Sequence, residues 1–150
     1  MAEDRMMRHE NEVSEAVVLA AIAVHRALGP GLLESAYEGC LAHELVASGL
    51  VVERQKLLPI RYRGALIDNG YRVELLVEDL VVVELKAIEK ILPIHQAQLL
   101  TYLRFAGCRV GLLLNFNAAL MKDGLKRMVY DPPPERADPS GVSSNSEGSS

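Results

Sequence analysis

Two charged residues interrupt an apolar segment in the middle of the chain. Residues 80–85 read Leu-Val-Val-Val-Glu-Leu, and Glu84 is followed two positions later by Lys86. Side chains two apart on a strand share a face, so Glu84 and Lys86 project to the same side as Val82. Because a buried, unpaired charge is costly, the two residues either form a salt bridge at the end of a strand or line a polar site there.

A second carboxylate, Glu74, lies ten positions before Glu84 on a segment that predicts the preceding strand. The two strands can form a hairpin. A connection of three residues, 78–80, places Glu74 directly opposite Glu84 on one face, whereas a connection of two residues places Glu74 opposite Val83 and separates the two acids. A site that uses both carboxylates therefore requires an odd-length connection or a bulge.

These residue types suit a hard divalent cation. Two neighbouring carboxylates repel each other, and a cation such as Mg²⁺, usually held in proteins by one or two carboxylates and waters, removes that repulsion. The ion would lower the pKa of a bound water and neutralise a phosphoryl oxygen, while Lys86 would orient or deprotonate the water. Two acids, a lysine and a cation are sufficient for hydrolysis of a phosphodiester.

The surrounding periodicity predicts the elements that position these residues. Apolar spacing predicts helices, and period-two patterns predict strands. The order α, α, β, β, β, β, α, β with a final edge strand indicates an α/β sandwich with a mixed sheet. The predicted helices cover residues 14–28, which Ser14 can cap, 32–48 and 93–106. The predicted strands cover 51–53, 57–63, 65–67, 71–77, 80–86, 110–114 and part of 122–130, with turns at Gly64 and at Asp68-Asn69-Gly70.

The 150 residues, of which 49% are hydrophobic and 24% charged, are sufficient for one domain with a core. We expect a flexible arm at residues 1–10, a domain at 11–130 and a disordered tail at 131–150, whose Pro, Ser and Gly content cannot support a core. The apolar stretch 16–24 is too short to span a bilayer, and the start of the chain lacks a secretory pattern. Cys40 and Cys108 lie in apolar contexts, which predicts buried, reduced thiols in a cytoplasmic protein.

The net charge of −4 limits the partners that the chain can attract. The tail accounts for −3 of it, so the remaining 130 residues are close to neutral and lack the basic field of an abundant non-specific DNA binder. Arg61, Arg63 and Arg72 alternate on strands and could form a phosphate-facing patch, although a solvated sheet face is the simpler interpretation. The short final strand could pair with a second copy of the chain, which would make a homo-oligomer.

The spacing Glu74…Glu84-Leu85-Lys86 resembles the motif of the PD-(D/E)xK nuclease superfamily, in which an acid on one strand precedes (D/E)-x-K on the next. A second segment, Gly31-x-x-Glu34-x-x-Tyr37, resembles the signature of the GxxExxY proteins, a largely uncharacterised bacterial group usually placed in that superfamily. The blocks LLPIRYRG, GYRVELLVED, VVVELKAIEK, AQLLTYLR and VGLLLNFN follow in the same order as in that group. The resemblance covers residues 12–130 and implies a restriction-endonuclease-like core, with a mixed central sheet flanked by helices.

The resemblance also implies roles for individual residues. Glu34, Glu74 and Glu84, with the backbone carbonyl of Leu85, would hold Mg²⁺ or Mn²⁺, and Lys86 would be the catalytic lysine. Gln98 and Tyr102 match a Gln-x-x-x-Tyr helix motif of related exonucleases that supports the site, and Tyr37 belongs to the signature. Glu74 stands where the superfamily usually carries Asp, and its extra methylene group lengthens the side chain by one carbon–carbon bond.

Some of these residues also have simpler explanations. An acid in the first turn of a helix, such as Glu34, is stabilised by the helix dipole. Tyr37 is most simply a core residue. Gln98 and Tyr102 fall on the stripe that holds Ile94 and Phe105, where a Gln facing the core would be unusual enough to favour a role at the site.

Two functions follow. One is a Mg²⁺- or Mn²⁺-dependent nuclease acting on DNA or RNA. The other is a catalytically inactive protein with the same fold that binds nucleic acid or another protein and keeps the polar cluster as an ion-pair network.

Overall fold

The structure, a computed structural model, describes the backbone of residues 2–132 and all side chains in that range except those of residues 2–8 and 69. Most of the predicted tail therefore lies outside the described residues. The helices are α1 (Ala2–Leu28), α2 (Glu34–Ala47) and α3 (Pro93–Ala106), and the strands are β1 (Val52–Tyr62), β2 (Ala65–Val77), β3 (Val81–Lys86), β4 (Val110–Asn115) and β5 (Leu125–Val129), with a 3₁₀ turn at Met121–Gly124. None of the helices in residues 2–132 has the length and apolar character needed to span a bilayer.

The five strands form one mixed sheet in the order β1-β2-β3-β4-β5. β3 and β4 run parallel and are joined through α3, while the other neighbouring pairs are antiparallel. α1 and α2 pack on one face of the sheet and α3 on the other. The predicted fold class, a mixed sheet flanked by helices, is confirmed.

The alternation within β3 assigns its side chains to the two faces. Val81, Val83 and Leu85 are fully buried against α1 and α2, whereas Val82 packs in the core beneath α3. β4 is buried along its whole length, as expected for a central strand covered on both faces. Gly111 in β4 leaves room for α3, because a Cβ there would lie 3.0 Å from Leu99.

The long β1–β2 hairpin differs from its prediction in one of its two turns. The chain turns at Arg63 and Gly64, both at positive φ, as predicted for Gly64, but it does not turn at Asp68-Asn69-Gly70. The latter segment forms a bulge within β2, where the pairing shifts between Leu58 and Ile60 of β1. Pro59, which lacks an N–H, sits at that shift, so the bulge falls where the ladder would be interrupted anyway.

The helix predicted to begin at residue 14 begins at Ala2, so residues 2–10 are helical and Ser14 lies inside α1 rather than capping it. No Gly or Pro interrupts residues 2–28, and the Ser14 hydroxyl donates a hydrogen bond to the Asn11 carbonyl oxygen inside the helix. Ser14 is a poor cap signal here because a serine can bond backward to a helical carbonyl as well as forward to an N–H.

Two burial predictions also need correction. Cys108 is buried but Cys40 is exposed on α2, and both are free thiols. On α3, the stripe predicted to face the core is mostly exposed, including Ile94 and Gln98, and the buried residues are Leu99 and Leu103. The two stripes of α3 are similarly apolar, so periodicity alone did not distinguish them.

Candidate active site

Glu74 and Glu84 meet where β2 and β3 end their regular pairing. The register pairs Val77 with Val81 and Leu75 with Val83, so the connection has three residues and the next position along places Glu74 opposite Glu84. The carboxylate of Glu84 accepts a hydrogen bond from the backbone N–H of Glu74 at 3.3 Å, and the carboxylate of Glu74 accepts one from the backbone N–H of Leu85 at 2.7 Å. The odd-length connection required by the sequence is confirmed.

The connection itself explains the register. Glu78 and Asp79 both adopt positive φ, near +56° and +58°, which lets the chain reverse within three residues. The Glu78 carboxylate accepts a hydrogen bond from the backbone N–H of Val51 at 2.6 Å, and this fixes the hairpin against the start of β1.

Burial makes the acidic pair costly to ionise. The Glu84 side chain is 5% exposed, and its burial, followed by the charge of Glu74, raises its pKa to about 8. Burial also raises the pKa of Glu74, against the opposing hydrogen bond from Leu85. The charge of Lys86 lowers the pKa of both carboxyl groups but does not offset burial. At neutral pH, Glu84 is therefore largely protonated when no further cation is close.

Glu34 is a third acid whose charge acts on this pair. It is the first residue of α2, half-buried, and its charge raises the pKa of both Glu74 and Glu84. Its position depends on the loop before α2. Gly31 has φ +108°, a conformation that L side chains rarely adopt, and the loop is held by Tyr37.

Tyr37 has a structural role that the sequence only partly predicted. Its fully buried ring stacks on Phe116 with 4.5 Å between centroids. Its hydroxyl donates a hydrogen bond to the Gly29 carbonyl oxygen at 2.5 Å and accepts one from the Leu32 N–H at 3.1 Å. Tyr37 thus ties both ends of the loop to the core and sets the direction in which Glu34 points.

A fourth acid, Glu38, was not predicted. It is 6% exposed, and its carboxylate accepts hydrogen bonds from Arg54 Nε at 3.1 Å and from Gln55 Nε2 at 2.6 Å. Its charge contributes to the raised pKa of Glu74, so it borders the same cluster. The available signal was its spacing, because a residue four positions after Glu34 lies on the same helix face.

Gln55 lies at an irregularity of the sheet beside Glu74. It has φ +51°, unusual for a residue other than Gly, and the regular pairing of β1 with β2 skips this position while resuming on both sides. The alternation of β2 reverses there, since Val73 packs beneath α3 whereas Leu75 packs against α1 and α2. Strained backbone of this kind clusters at functional sites.

Lys86 is the last residue of β3 and is half-buried. Its carbonyl oxygen accepts a hydrogen bond from Phe116 N–H at 2.8 Å, and it pairs with Asn115 on β4. The buried Asn115 amide then bonds both the N–H and the carbonyl oxygen of Ile88, at 3.1 and 2.9 Å. These contacts fix the chain just after Lys86.

Gln98 and Tyr102 are joined as the helix spacing implies. Gln98 Nε2 donates to the Tyr102 hydroxyl at 3.0 Å. Burial and then the charge of Glu84 raise the pKa of Tyr102, which locates this hydroxyl near the acidic pair. Gln98 itself is exposed rather than buried. His95 caps α3 by accepting a hydrogen bond from the Leu92 N–H at 2.9 Å.

The donor set suits a hard cation, although it is not arranged as a finished cage. Among the side chains that the structure describes in residues 9–132, no three from His, Cys, Asp or Glu are positioned to share one metal ion. One oxygen of Glu74 and one of Glu84 already accept backbone hydrogen bonds. Burial and then the charge of Glu74 nevertheless raise the pKa of Glu84, and a divalent cation would stabilise its ionised form.

Comparison with known proteins identifies this architecture. A family model described as the PD-(D/E)XK nuclease superfamily matches residues 11–128. The chain belongs to this superfamily. Searches of curated proteins and of solved structures returned no match. The match spans α2, α3 and strands β1 to β4 in full, so every residue of the acidic cluster lies within the PD-(D/E)XK domain.

Proposed function

We propose that this PD-(D/E)XK protein is a metal-dependent nuclease, in which Mg²⁺ or Mn²⁺ is held by Glu34, Glu74, Glu84 and the carbonyl oxygen of Leu85. The observation that carries the proposal is the register of β2 and β3, which sets Glu74 opposite Glu84 with Lys86 on the same strand. The raised pKa of Glu84 supports it, since a cation would stabilise the ionised form.

Each residue of the site would have a distinct role in hydrolysis. The three glutamates would bind the ion, which would supply a polarised phosphoryl oxygen and a water of lowered pKa. Lys86, whose ammonium acts on both Glu74 and Glu84, would orient the attacking water and stabilise the negative charge that develops on its oxygen. Tyr102, held by Gln98, would position the nucleic-acid strand beside the acids.

Two finer assignments belong to the same proposal. The ordered Gly31, Glu34 and Tyr37 signature supports membership of the GxxExxY group. Tyr37 provides a physical reason for that spacing, because its hydroxyl bonds the loop that delivers Glu34. A cytoplasmic location would fit the two free thiols.

A second candidate function has its own support. Glu74 and Glu84 each bond a backbone N–H of the neighbouring strand, so the acids already act as structural links in the hairpin. A nuclease-fold protein without catalysis would keep these links and would bind nucleic acid or a protein through another surface.

Incubation with single-stranded DNA, double-stranded DNA and RNA in the presence of Mn²⁺ separates the two functions. A nuclease should cleave at least one substrate, and Lys86→Ala, purified in parallel, should reduce the rate at least about 100-fold. Lys90→Ala removes an exposed lysine four residues away and serves as the matched control. Equal cleavage by wild type and Lys86→Ala would identify a contaminant, and cleavage of none of the three substrates would favour the second function.

A further inference from the structure

The β1–β2 hairpin carries an excess of positive charge that the rest of the chain lacks. Residues 56–72 contain Lys56, Arg61, Arg63, Arg72 and a single acid, Asp68, for a net charge of +3 in a protein whose net charge is −4. The three arginines are exposed, and none of them forms a salt bridge among the described side chains, whereas Lys56 pairs with Glu53. Their charge is therefore available to a partner.

The register assigns two of these arginines to one face. Arg72 lies opposite Leu57, and Arg61 lies opposite Leu66. The intervening residues Leu58 and Ile60 pack beneath α3. Because side chains alternate along a strand, Arg61 and Arg72 point away from α3, to the side of the sheet that carries α2.

The same face leads to the α2 side of the acidic cluster, where Glu34 and Glu38 lie. Arg54 lies on it nearer to the site and bonds Glu38 of α2. Arg72 is two residues from Glu74, about 7 Å along the strand, and Arg61 lies about 13 Å further out. The surface thus extends about 20 Å from the acids, a length equal to about six base pairs of duplex.

The side chains beside the arginines are apolar or aromatic and can pack against the bases and sugars of a nucleic acid. Leu57 and Leu66 are about half exposed beside the arginines, and Tyr62 near the turn is 58% exposed. The Arg63 guanidinium lies over the Tyr62 ring, 5.5 Å from its centroid. Exposed aromatic rings with adjacent cations form stacking platforms for unpaired bases.

We propose that a nucleic-acid backbone lies along Arg61 and Arg72 as it approaches the acidic cluster, with Arg63 and Tyr62 at the turn of the hairpin contacting its far end. The inference rests on the proposed nuclease function for its direction, toward Glu74 and Glu84. The binding of nucleic acid to this surface depends only on the charge and exposure of the hairpin residues. The proposal also explains how a domain of near-neutral total charge could attract a nucleic acid, because the positive charge is concentrated on the hairpin.

Fluorescence anisotropy tests the surface without catalysis. Wild type, Arg61→Gln/Arg72→Gln and the matched control Lys126→Gln/Arg127→Gln would be titrated into labelled single-stranded DNA, duplex DNA and RNA in EDTA, at several salt concentrations. The control removes the same charge from exposed positions on β5, at the opposite edge of the sheet. Circular dichroism and thermal unfolding would show that each variant is folded.

We expect the hairpin variant to bind more weakly, on the order of tenfold per lost phosphate contact at 50 mM salt. The slope of log K against log salt should decrease by about 1.8 on duplex or about 1.4 on a single strand. The control should bind as wild type does. Equal affinities and slopes for all three proteins would overturn the proposal, as would a hairpin variant that changes only self-association in sedimentation analysis.

The outcomes for binding and for catalysis are separable. Weakened binding by the hairpin variant, together with no cleavage by wild type in Mn²⁺, would retain the surface and remove the nuclease function. Cleavage by wild type with unchanged binding by the hairpin variant would retain the nuclease function and remove the surface.

Discussion

The carboxylate of Glu84 lies within hydrogen-bond distance, 3.3 Å, of the backbone N–H of Glu74, the acid that stands opposite it on the neighbouring strand. The two acids are thus part of the hairpin as well as candidates for chemistry. Burial raises the pKa of both, and the charge of Glu74 raises that of Glu84 further, so the ionised pair is costly without a cation.

The stability of the metal-free protein should fall as pH rises through the range set by Glu84. Its pKa is near 4.5 when unfolded and about 8 when folded, so between these values the folded state binds the extra proton. The contribution of Glu84 to the free energy of unfolding is therefore fully present below pH 4.5 and is lost as the pH rises to 8. Each pKa unit corresponds to about 1.4 kcal/mol, so the difference amounts to several kcal/mol.

Glu84→Gln removes this titration and provides the test. In EDTA, urea unfolding should give similar stabilities for wild type and variant near pH 5, and a more stable variant at pH 8.5. Parallel curves over this range would contradict a strongly raised pKa of Glu84.

The three-residue connection between β2 and β3 should respond specifically to residue type at Asp79. Asp79 is exposed with φ +58°, a conformation that costs a β-branched residue about 1–2 kcal/mol and costs Gly almost nothing. We expect Asp79→Gly to match or slightly exceed wild type in thermal stability and Asp79→Val to lose about 1–2 kcal/mol. A two-residue turn with ordinary φ at this position would make the two variants indistinguishable.

The bulge in β2 should depend on the absence of a side chain at Gly70. A Cβ there would lie 2.5 Å from Ile60 Cγ1 and 3.0 Å from the Ile60 backbone nitrogen. Gly70→Ala should therefore destabilise the protein by about 1–3 kcal/mol in chemical unfolding.

Gly39→Ala provides the matched control for Gly70. It lies inside α2, and its nearest contact would be Arg54 Nη2 at 3.8 Å, an ordinary separation. Alanine should stabilise the helix there by up to about 1 kcal/mol. A stabilising effect of Gly70→Ala would mean that β1 and β2 do not approach as closely as described.

Local chemistry in the sequence predicted the centre of the fold better than its edges. The apolar runs of β3 and β4 are continuous, as expected for strands covered on both faces, so the positions of these strands could be predicted from the sequence. The alternation of side chains along β3 then placed Glu84 and Lys86 on the same face. Glu74 opposite Glu84 followed once the connection was taken as three residues. The sequence did not indicate whether the connection has two or three residues. Positive φ is usually signalled by Gly or Asn, but here Glu78 and Asp79 adopt it.

Other features depended on contacts between distant segments. Asp68-Asn69-Gly70 reads as a turn, but Pro59 and Ile60 on the facing strand make it a bulge. Glu38 became part of the site only through Arg54 and Gln55, sixteen and seventeen residues away. The stripe of α3 that contains Ile94 and Gln98 was wrongly predicted to face the core. Both stripes of this helix are apolar, and only the position of the sheet shows which one is buried.

The central claim, that Glu34, Glu74 and Glu84 bind a divalent cation, is tested most directly by Mn²⁺ titration of wild type, Glu84→Gln and Glu15→Gln, an exposed acid on α1. We predict that Mn²⁺ stabilises wild type and Glu15→Gln against thermal unfolding, by about 2.7 kcal/mol at 100 times the Kd. Affinity should increase about tenfold per pH unit from pH 6 to 8 as Glu84 releases its proton. Glu84→Gln should show no stabilisation. Equal responses of all three proteins, or no response in wild type, would contradict the claim.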